Sequence, residues 1–389
     1  MREPVAGINP QVLVWARERS GHTIDQVAKA LHKEPEVIVS WETGSSSPTY
    51  AQLETLAYKV YKRPVALFFF PEPPEEIDPE HSFRTLPEFE VEELTSDTRY
   101  KIRDARAMQV ALNELNGEVN PAPRKIFRDI RVRFPLSALT IAREVRSYLG
   151  VDLEVQKQGW RNVAEAFKEW RNAVEECGVF VFKNSFKQED VSGFCLYDPE
   201  FPVIYINNSA SGTRQIFTLF HELAHLLVQT NGVTKANDQY IDVLSGEAKS
   251  IEVFCNQFAS AFLVPEADLR LRIRGEIPND EVVAALAEDY KVSREVVLRR
   301  FLDLGLVTKA YYESKVEQWR RDYEGRPKKK PGGDYYATKA TYLGEKYLSL
   351  VFGRYYQGRI SIQQLADFLN VRVSSVPGLE QFLLQKATA

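Results

Sequence analysis

The amino-acid sequence predicts an α+β protein of 389 residues, with helical segments at both ends. Two observations carry this prediction. Apolar residues recur at helical spacing through the N-terminal and the C-terminal parts of the chain. Three short runs rich in β-branched and aromatic residues lie together between residues 179 and 207, and their short connections favour a small antiparallel or mixed sheet. A chain of this length holds about two to four domains, and we expect boundaries after residues 70, 95 and 310.

The composition argues against several classes of protein. The formal net charge is −4, so the chain as a whole is not drawn to nucleic acid by its charge. The three cysteines, Cys177, Cys195 and Cys255, are too few and too scattered for a disulfide framework, which favours a reducing compartment. No run is apolar enough to be a signal core or a membrane span. We therefore expect a cytoplasmic protein without a membrane partner.

Residues 1–70 predict a small all-α domain. Thr23 and Gln26 have the spacing of a capping box, which predicts the start of a second helix after a first one. A short turn at residues 32–33 then leads into a third helix over residues 34–41. Two helices joined by such a turn predict the helix-turn-helix arrangement.

The third helix is where this domain would read DNA. Its residues Ile38, Trp41, Glu42 and Gly44, followed by Pro48, resemble the repressor-type Xre family. The candidate DNA-contacting residues are Gln26, Lys33, Glu34, Glu36 and Val39. Two glutamates are unfavourable beside polyanionic DNA, and no arginine is present to reach guanine. DNA binding therefore stands beside three alternatives: docking of a protein partner, an intramolecular lid, and a purely structural role.

Residues 71–95 predict an acidic, proline-rich linker, and residues 96–310 predict a domain that mixes helices with the three strands. Helices are expected over residues 97–116, 137–149 and 161–176, and strands over 179–182, 191–197 and 202–207. Residues 281–304 predict two more helices, which either mimic a second helix-turn-helix or support the domain. Residues 311–389 predict a C-terminal helical domain.

The strongest chemical signal is His221-Glu222-Leu223-Ala224-His225, which lies in a helical pattern. Histidines four residues apart on a helix project from nearly the same line, so His221 and His225 can bind one metal ion. Glu222 projects about 100° further round, from where it can take a proton from a water molecule. The alternative is a core helix with hydrogen-bonded histidines, but burying two imidazoles costs free energy unless both are satisfied. The pattern therefore favours a metal site.

A third protein ligand is expected from a second helix, over residues 247–263. Glu252 and Asn256 share one face of this helix, so the helix could pack beside the histidines and direct Glu252 at the metal. Two histidines and one glutamate would leave a fourth position open for water, which is typical of catalytic zinc. Spacing alone does not decide between Glu252 and three other carboxylates. The competing residues are Asp242, Glu247 and Asp268.

Three stretches of these two helices resemble the ImmA/IrrE family of metallopeptidases. They are residues 217–225, the run Glu252-x-x-Cys255-Asn256-x-Phe258-Ala259, and residues 262–265. The resemblance implies that His221, His225 and Glu252 bind the metal and that Glu222 is the general base. Cys255 stands where the family usually has alanine, and Val264 where it usually has methionine. Both departures concern packing and leave the implied chemistry intact.

The resemblance also implies a zincin-like peptidase domain whose small sheet packs on the histidine helix. The metal would be zinc, with manganese as an alternative, and Asn256 would support the ligands or pair the two helices. The implied activity is that of an endopeptidase that cleaves a specific regulatory protein, such as a repressor, in response to stress. In metallopeptidases built this way an edge strand can pair with the substrate, and residues 197–207 are our candidate. The competing hypothesis is a DNA-binding regulator or antitoxin-like component whose metal is structural or sensory.

Overall fold

The computed structural model describes residues 3–76, 83, 86–132, 137–236, 240–273, 279–324 and 333–387. Part of the predicted linker, residues 77–82 and 84–85, lies outside the described residues. The chain divides into two compact units, which are Met1–Arg106 with Phe186–Gln188, and Ala107–Ser185 with Glu189–Ala389. The domain boundaries expected from the sequence stay predictions.

Helices dominate both units. The helices of the described residues are α1 (Pro10–Arg19), α2 (Ile24–Leu31), α3 (Pro35–Glu42), α4 (Tyr50–Glu54), α5 (Glu88–Glu92), α6 (Ser96–Asn116), α7 (Ile126–Asp129), α8 (Ala138–Leu149), α9 (Val163–Glu176), α10 (Gly212–Leu227), α11 (Tyr240–Val243), α12 (Gly246–Leu263), α13 (Glu266–Ile273), α14 (Asp280–Tyr290), α15 (Arg294–Asp303), α16 (Lys309–Glu324), α17 (Tyr335–Leu343), α18 (Glu345–Tyr356), α19 (Ile362–Phe368) and α20 (Val376–Ala387). The strands are β1 (Phe180–Asn184), β2 (Val191–Leu196), β3 (Val203–Asn207) and β4 (Gly232–Lys235). The α+β fold class is confirmed, and the predicted helices and the first three strands begin or end within a few residues of their expected bounds.

The N-terminal unit contains the predicted helix, turn and helix. The capping box is present, because the Thr23 hydroxyl accepts from the Gln26 backbone N–H at 3.2 Å and the Gln26 side-chain oxygen Oε1 accepts from the Thr23 backbone N–H at 2.9 Å. His32 ends α2 in the left-handed conformation, with φ of 53°, and so turns the chain towards α3. The core of this bundle is formed by buried apolar residues. They include Val12, Val27, Ile38, Trp41, Leu53 and Phe68.

One ion pair ties α1 to α3. The Arg17 guanidinium donates two hydrogen bonds to the Glu42 carboxylate, at 2.8 and 3.0 Å. The Glu42 side chain is only 9% exposed, and this fork-shaped contact satisfies both of its oxygens. Glu42, which carried part of the Xre-like pattern, therefore has a structural contact here.

The sheet of the second unit is mixed, with strand order β1-β3-β2-β4. β3 pairs with β1 in parallel and with β2 antiparallel, and β2 pairs with β4 antiparallel. The prediction of an edge strand at residues 197–207 is therefore wrong, because β3 lies inside the sheet and both of its edges are occupied. β4, which sequence reasoning missed, has β2 as its one partner strand among the described residues. It has only four residues, too few to show a period-two pattern.

Helix α10 packs on this sheet, with contacts to β2, β3 and β4. Gly193 permits the close approach, since a Cβ atom there would lie 2.6 Å from the Thr218 methyl group. On its other side α10 packs against α12 and α9 through aromatic rings: the Phe220 ring lies 4.1 Å from Phe262 and 5.0 Å from Trp170, measured between centroids. Burial of these rings fixes how α10 and α12 face each other.

Helices α14 and α15 lie in the region that the sequence predicted as two helices. The Ser293 hydroxyl caps α15 by accepting from the Val296 N–H at 3.2 Å. α15 packs on α12, and Arg300 donates to the Val264 carbonyl oxygen at 3.1 Å. This pair of helices therefore supports the end of α12. Among the described residues, no helix is both long and apolar enough to cross a lipid bilayer.

Candidate metal centre

Helix α10 carries His221, Glu222 and His225 into the interior. Its N-terminus is capped by Ser211, whose hydroxyl accepts from the Arg214 N–H at 3.3 Å. The three polar side chains lie in the second half of the helix and are no more than 1% exposed. Burial of such groups costs free energy unless they form hydrogen bonds or bind an ion. The atoms around them therefore indicate what the site does.

Glu252 on α12 meets the two histidines. Its carboxylate oxygens lie 3.4 Å from the His221 Nε2 atom and 3.3 Å from the His225 Nε2 atom. The two Nε2 atoms are themselves 3.2 Å apart. Three donor atoms from two helices thus converge on one point, and Glu252 is as deeply buried as the histidines, at 1% exposed.

The other ring nitrogens are held by neighbours. The side-chain oxygen Oδ1 of Asn256 lies 3.1 Å from the His221 Nδ1 atom, and in this orientation of the amide it accepts the Nδ1 proton. The Thr230 hydroxyl lies 3.3 Å from the His225 Nδ1 atom and donates its own proton to the His225 carbonyl oxygen. Both imidazoles therefore turn their Nε2 atoms towards Glu252, which is the orientation of metal-binding histidines.

These residues fit a divalent metal ion. Two Nε2 atoms that face each other at 3.2 Å need a cation between them, either a proton or a metal ion, because their lone pairs would otherwise repel. In a tetrahedral zinc site with bonds of about 2.0–2.1 Å, neighbouring donors lie about 3.3–3.4 Å apart, close to the spacings here. Burial alone would raise the pKa of the Glu252 carboxyl, but the charges of His225 and His221 hold it well below its usual range. The centre therefore holds a carboxylate and favours positive charge.

Glu222 lies beside this point without joining the three donors. Its Oε1 atom accepts from the Thr234 hydroxyl at 2.5 Å, while its Oε2 atom is buried and has no hydrogen-bond partner among the described residues. Thr234 belongs to β4, whose Gly232 passes directly over the site. A Cβ atom at Gly232 would lie 2.4 Å from the His225 Cδ2 atom and 2.7 Å from the Glu222 Oε2 atom. Only glycine leaves this space free.

Two further side chains border the centre. Tyr240 on α11 is 5% exposed, and its hydroxyl donates to the Glu252 Oε2 atom at 2.9 Å. Cys255 lies one residue before Asn256 on α12 and is fully buried. Burial raises the pKa of the Cys255 thiol to about 11. The ligand atoms of His221, His225 and Cys255 all lie within 4.8 Å of one another.

The competing carboxylates lie elsewhere. Asp242 is exposed and pairs with Lys309 at 3.3 Å. Asp268 accepts from the Tyr290 hydroxyl at 2.5 Å and from Lys157 at 3.0 Å. Glu247 is exposed at the start of α12. Of the four carboxylates left open by spacing, Glu252 alone has its oxygens beside both histidines within the part of the chain that the structure describes.

The candidate DNA-contacting residues are all at the surface of the N-terminal unit. Lys33, Glu34, Glu36 and Val39 are exposed around the start of α3. Gln26 is exposed on α2, but its carboxamide oxygen is engaged in the capping box. Exposure permits contact with DNA or with a protein and does not distinguish between them.

Comparison with known proteins places this centre in a family. Residues 174–302 match the Peptidase_M78 family, described as the IrrE N-terminal-like domain. This similarity covers about a third of the chain. The matched residues include α10, β4 and α12, and with them every donor atom described above.

Two curated relatives resemble this IrrE-like domain. The radiation response metalloprotease IrrE of Deinococcus radiodurans is 36% identical over 106 residues, which are 26% of this chain and 31% of the relative. The protein of the same name from Deinococcus deserti is 36% identical over 104 residues, or 25% of this chain and 34% of the relative. The chain thus spans about a third of the length of these relatives.

Sequence reasoning missed four residues of the IrrE-like domain that border the centre: Thr230, Gly232, Thr234 and Tyr240. They lie between the two motif helices, where no periodic pattern marked them. Cys255 was seen only as a packing substitution, although its position three residues after Glu252 places both on one helix face. That spacing was the signal that could have included it.

Proposed function

We propose that the chain is a metal-dependent protease in which His221, His225 and Glu252 bind the metal and Glu222 is the general base. One observation carries the proposal most strongly: the Glu222 Oε2 atom is buried without a partner beside three converging donors. A buried carboxylate oxygen without a hydrogen bond is costly in a purely structural site. A site that takes up water and substrate supplies what this oxygen lacks.

Each residue has a distinct task in this proposal. A divalent metal, for which we propose zinc, would polarise the scissile carbonyl and acidify a water molecule. Glu222 accepts the proton of that water at Oε2 and passes it to the leaving amine, while Thr234 holds its Oε1 atom. Asn256 and Thr230 keep the imidazole rings in the orientation that exposes Nε2.

The substrate in this proposal is a specific regulatory protein, cut within its chain. Support comes from the two Deinococcus relatives, which are named radiation response metalloproteases. β4 is the strand of the sheet that passes over the site, so it replaces residues 197–207 as the candidate for pairing with an extended peptide. Val233 and Thr234 of β4 are 1% and 2% exposed. The residues that shield β4 from solvent would therefore have to move before a peptide could pair with this strand.

The substitution Glu222→Gln tests the general base. It keeps the shape of the side chain and removes its ability to take a proton, so we expect hydrolysis to fall by about 10²–10⁴-fold. The measurement compares newly formed protein N-termini in cells that express wild type or variant. Glu247→Gln, an exposed change on α12, is the matched control and should behave as wild type. Equal cleavage by wild type and Glu222→Gln, with equal metal content, would remove Glu222 from the reaction.

A second candidate function is a DNA-binding regulator with a structural or sensory metal. Complete burial of the centre and a sulfur atom near both histidines favour it, because structural zinc sites are closed by four protein ligands. In that case Glu222→Gln would leave the cellular phenotype unchanged, while loss of the metal would alter retention on DNA. The N-terminal helices are proposed as a module that binds either DNA or a protein partner.

A further inference from the structure

Cys255 occupies a position that the proposed reaction does not use. It lies on α12 three residues after Glu252, so both side chains leave the helix on the face that meets α10. Its thiol is fully buried, and its sulfur lies within 4.8 Å of ligand atoms of both His221 and His225. Cysteine buried for packing alone would need no such neighbours.

The chemistry of the four donors is that of a complete site. Thiolate sulfur binds zinc at about 2.3 Å, longer than the bonds of about 2.0–2.1 Å to imidazole nitrogen. In a tetrahedral site the sulfur therefore lies about 3.6 Å from each nitrogen. The group of ligand atoms that lie within 4.8 Å of one another contains His221, His225 and Cys255 but not Glu252, so closing all four donors on one ion requires the sulfur to approach Glu252 as the metal binds. Two nitrogens, one oxygen and one sulfur fill a tetrahedron.

We propose that Cys255 is the fourth protein ligand of the resting metal centre, so that the site is closed until the sulfur leaves. This inference rests on the proposed function, and it assigns that site a resting state. Cys255 would bind as the thiolate and release its proton to solvent, and it would take up a proton from solvent again once the sulfur had given way to substrate and water. The sulfur ligand also favours zinc over manganese, because thiolate selects softer metals.

Cys195 provides an internal comparison. It too is a fully buried cysteine close to the centre, on β2, where its Sγ atom lies 3.8 Å from the Thr230 carbonyl oxygen. It does not belong to the group of ligand atoms formed by His221, His225 and Cys255. Removal of either cysteine deletes one buried sulfur, but only removal of Cys255 should change the metal environment.

The test is zinc-edge X-ray absorption on the purified full-length chain loaded with zinc. We expect one sulfur neighbour at about 2.3 Å in wild type and in Cys195→Ala. In Cys255→Ala the sulfur neighbour should be lost while nitrogen and oxygen neighbours remain. Wild-type zinc with nitrogen and oxygen neighbours alone would overturn the inference, whatever the variants do.

A second measurement protects the test against a variant that fails to fold. Wild-type protein loaded with cobalt should show a sulfur-to-cobalt charge-transfer absorption, and Cys255→Ser should lose it with unchanged circular dichroism. Failure of this inference is separable from failure of the proposed function. Zinc bound without sulfur removes Cys255 from the centre but leaves the protease proposal standing, whereas absence of any tightly bound metal contradicts both.

Discussion

Two regions of the molecule bury charged side chains, and they do so differently. Between α1 and α3 the Arg17 guanidinium and the Glu42 carboxylate satisfy one another at 2.8 and 3.0 Å. Between α10 and α12 the donors of His221, His225 and Glu252 converge, and the adjacent Glu222 Oε2 atom has no hydrogen-bond partner among the described residues. An ion pair whose two charged groups are hydrogen-bonded to each other, such as Arg17 and Glu42, stabilises the fold. Converging metal-binding side chains beside a buried carboxylate oxygen that lacks a hydrogen-bond partner indicate a site for an ion and its substrate.

The largest effect is expected from Gly232→Ala, which tests whether the space around the centre matters. The added methyl group would overlap the His225 ring and the Glu222 carboxylate. We expect metal retention to be lost and the free energy of unfolding to fall by about 3 kcal/mol, as in overpacked cores. Gly353→Ala is the control, because a Cβ atom there meets nothing within 4 Å and the residue lies inside α18. Retained metal in Gly232→Ala would show that the site is more open than described.

The substitution Arg17→Ala tests the ion pair between Arg17 and Glu42. Loss of the guanidinium leaves the Glu42 carboxylate, which is only 9% exposed, without its partner, so we expect the free energy of unfolding to fall by about 2 kcal/mol. Metal content should not change, since Arg17 belongs to the other compact unit. Chemical denaturation and metal analysis of the same samples check both statements. Lys309→Ala removes an exposed partner of Asp242 and should have no measurable effect on stability; an equal loss there would contradict the distinction between the two pairs.

A smaller effect is expected from Tyr240→Phe, which removes one hydrogen bond to Glu252. Groups that support a metal ligand typically contribute about 10–100-fold in metal affinity, and we expect the lower end because Glu252 keeps both histidine contacts. Competition with a chromophoric chelator measures the change. Tyr50→Phe, an exposed tyrosine of the N-terminal unit, is the control. Unchanged affinity would exclude Tyr240 from a supporting role.

The smallest effect on stability is expected from replacing Glu34 and Glu36 together by glutamine. Both are exposed, so the free energy of unfolding should change by less than about 0.5 kcal/mol. If α3 faces DNA, removal of two negative charges should increase retention on DNA at low salt. Retention that does not change would assign this surface to a protein partner or to a lid.

The sequence predicted the parts of the fold that repeat a pattern. The histidine helix, α12 and the capping box at Thr23 each have a periodic or spaced signature, and the structure contains them. The order of the sheet was not predictable, because pairing depends on contacts between strands that are distant in sequence. For that reason β3 was wrongly placed at an edge, and the four-residue β4 was missed.

The candidate metal centre also shows that local patterns were predictable from the sequence, whereas contacts between distant residues were not. Spacing on one helix identified His221, Glu222 and His225, and helix faces proposed Glu252 without excluding Asp242. What singled out Glu252 is the crossing of α10 and α12, which the packing of Phe220 on Phe262 determines. Thr234 and Tyr240 reach the site from β4 and α11, which have four residues each, and elements this short have no periodic pattern from which their position could be predicted.

Metal content of the purified protein tests the central claim most directly. Wild type should bind about one metal ion per chain, and His225→Ala and Glu252→Ala should each lose it during purification, since each removes one of the three side chains that converge on the site and so weakens metal binding. Asp268→Ala, which removes a carboxylate that accepts from Tyr290 and Lys157, is the control and should retain the ion. Wild-type protein without bound metal after loading with zinc or manganese, or full metal content in both ligand variants, would contradict the account.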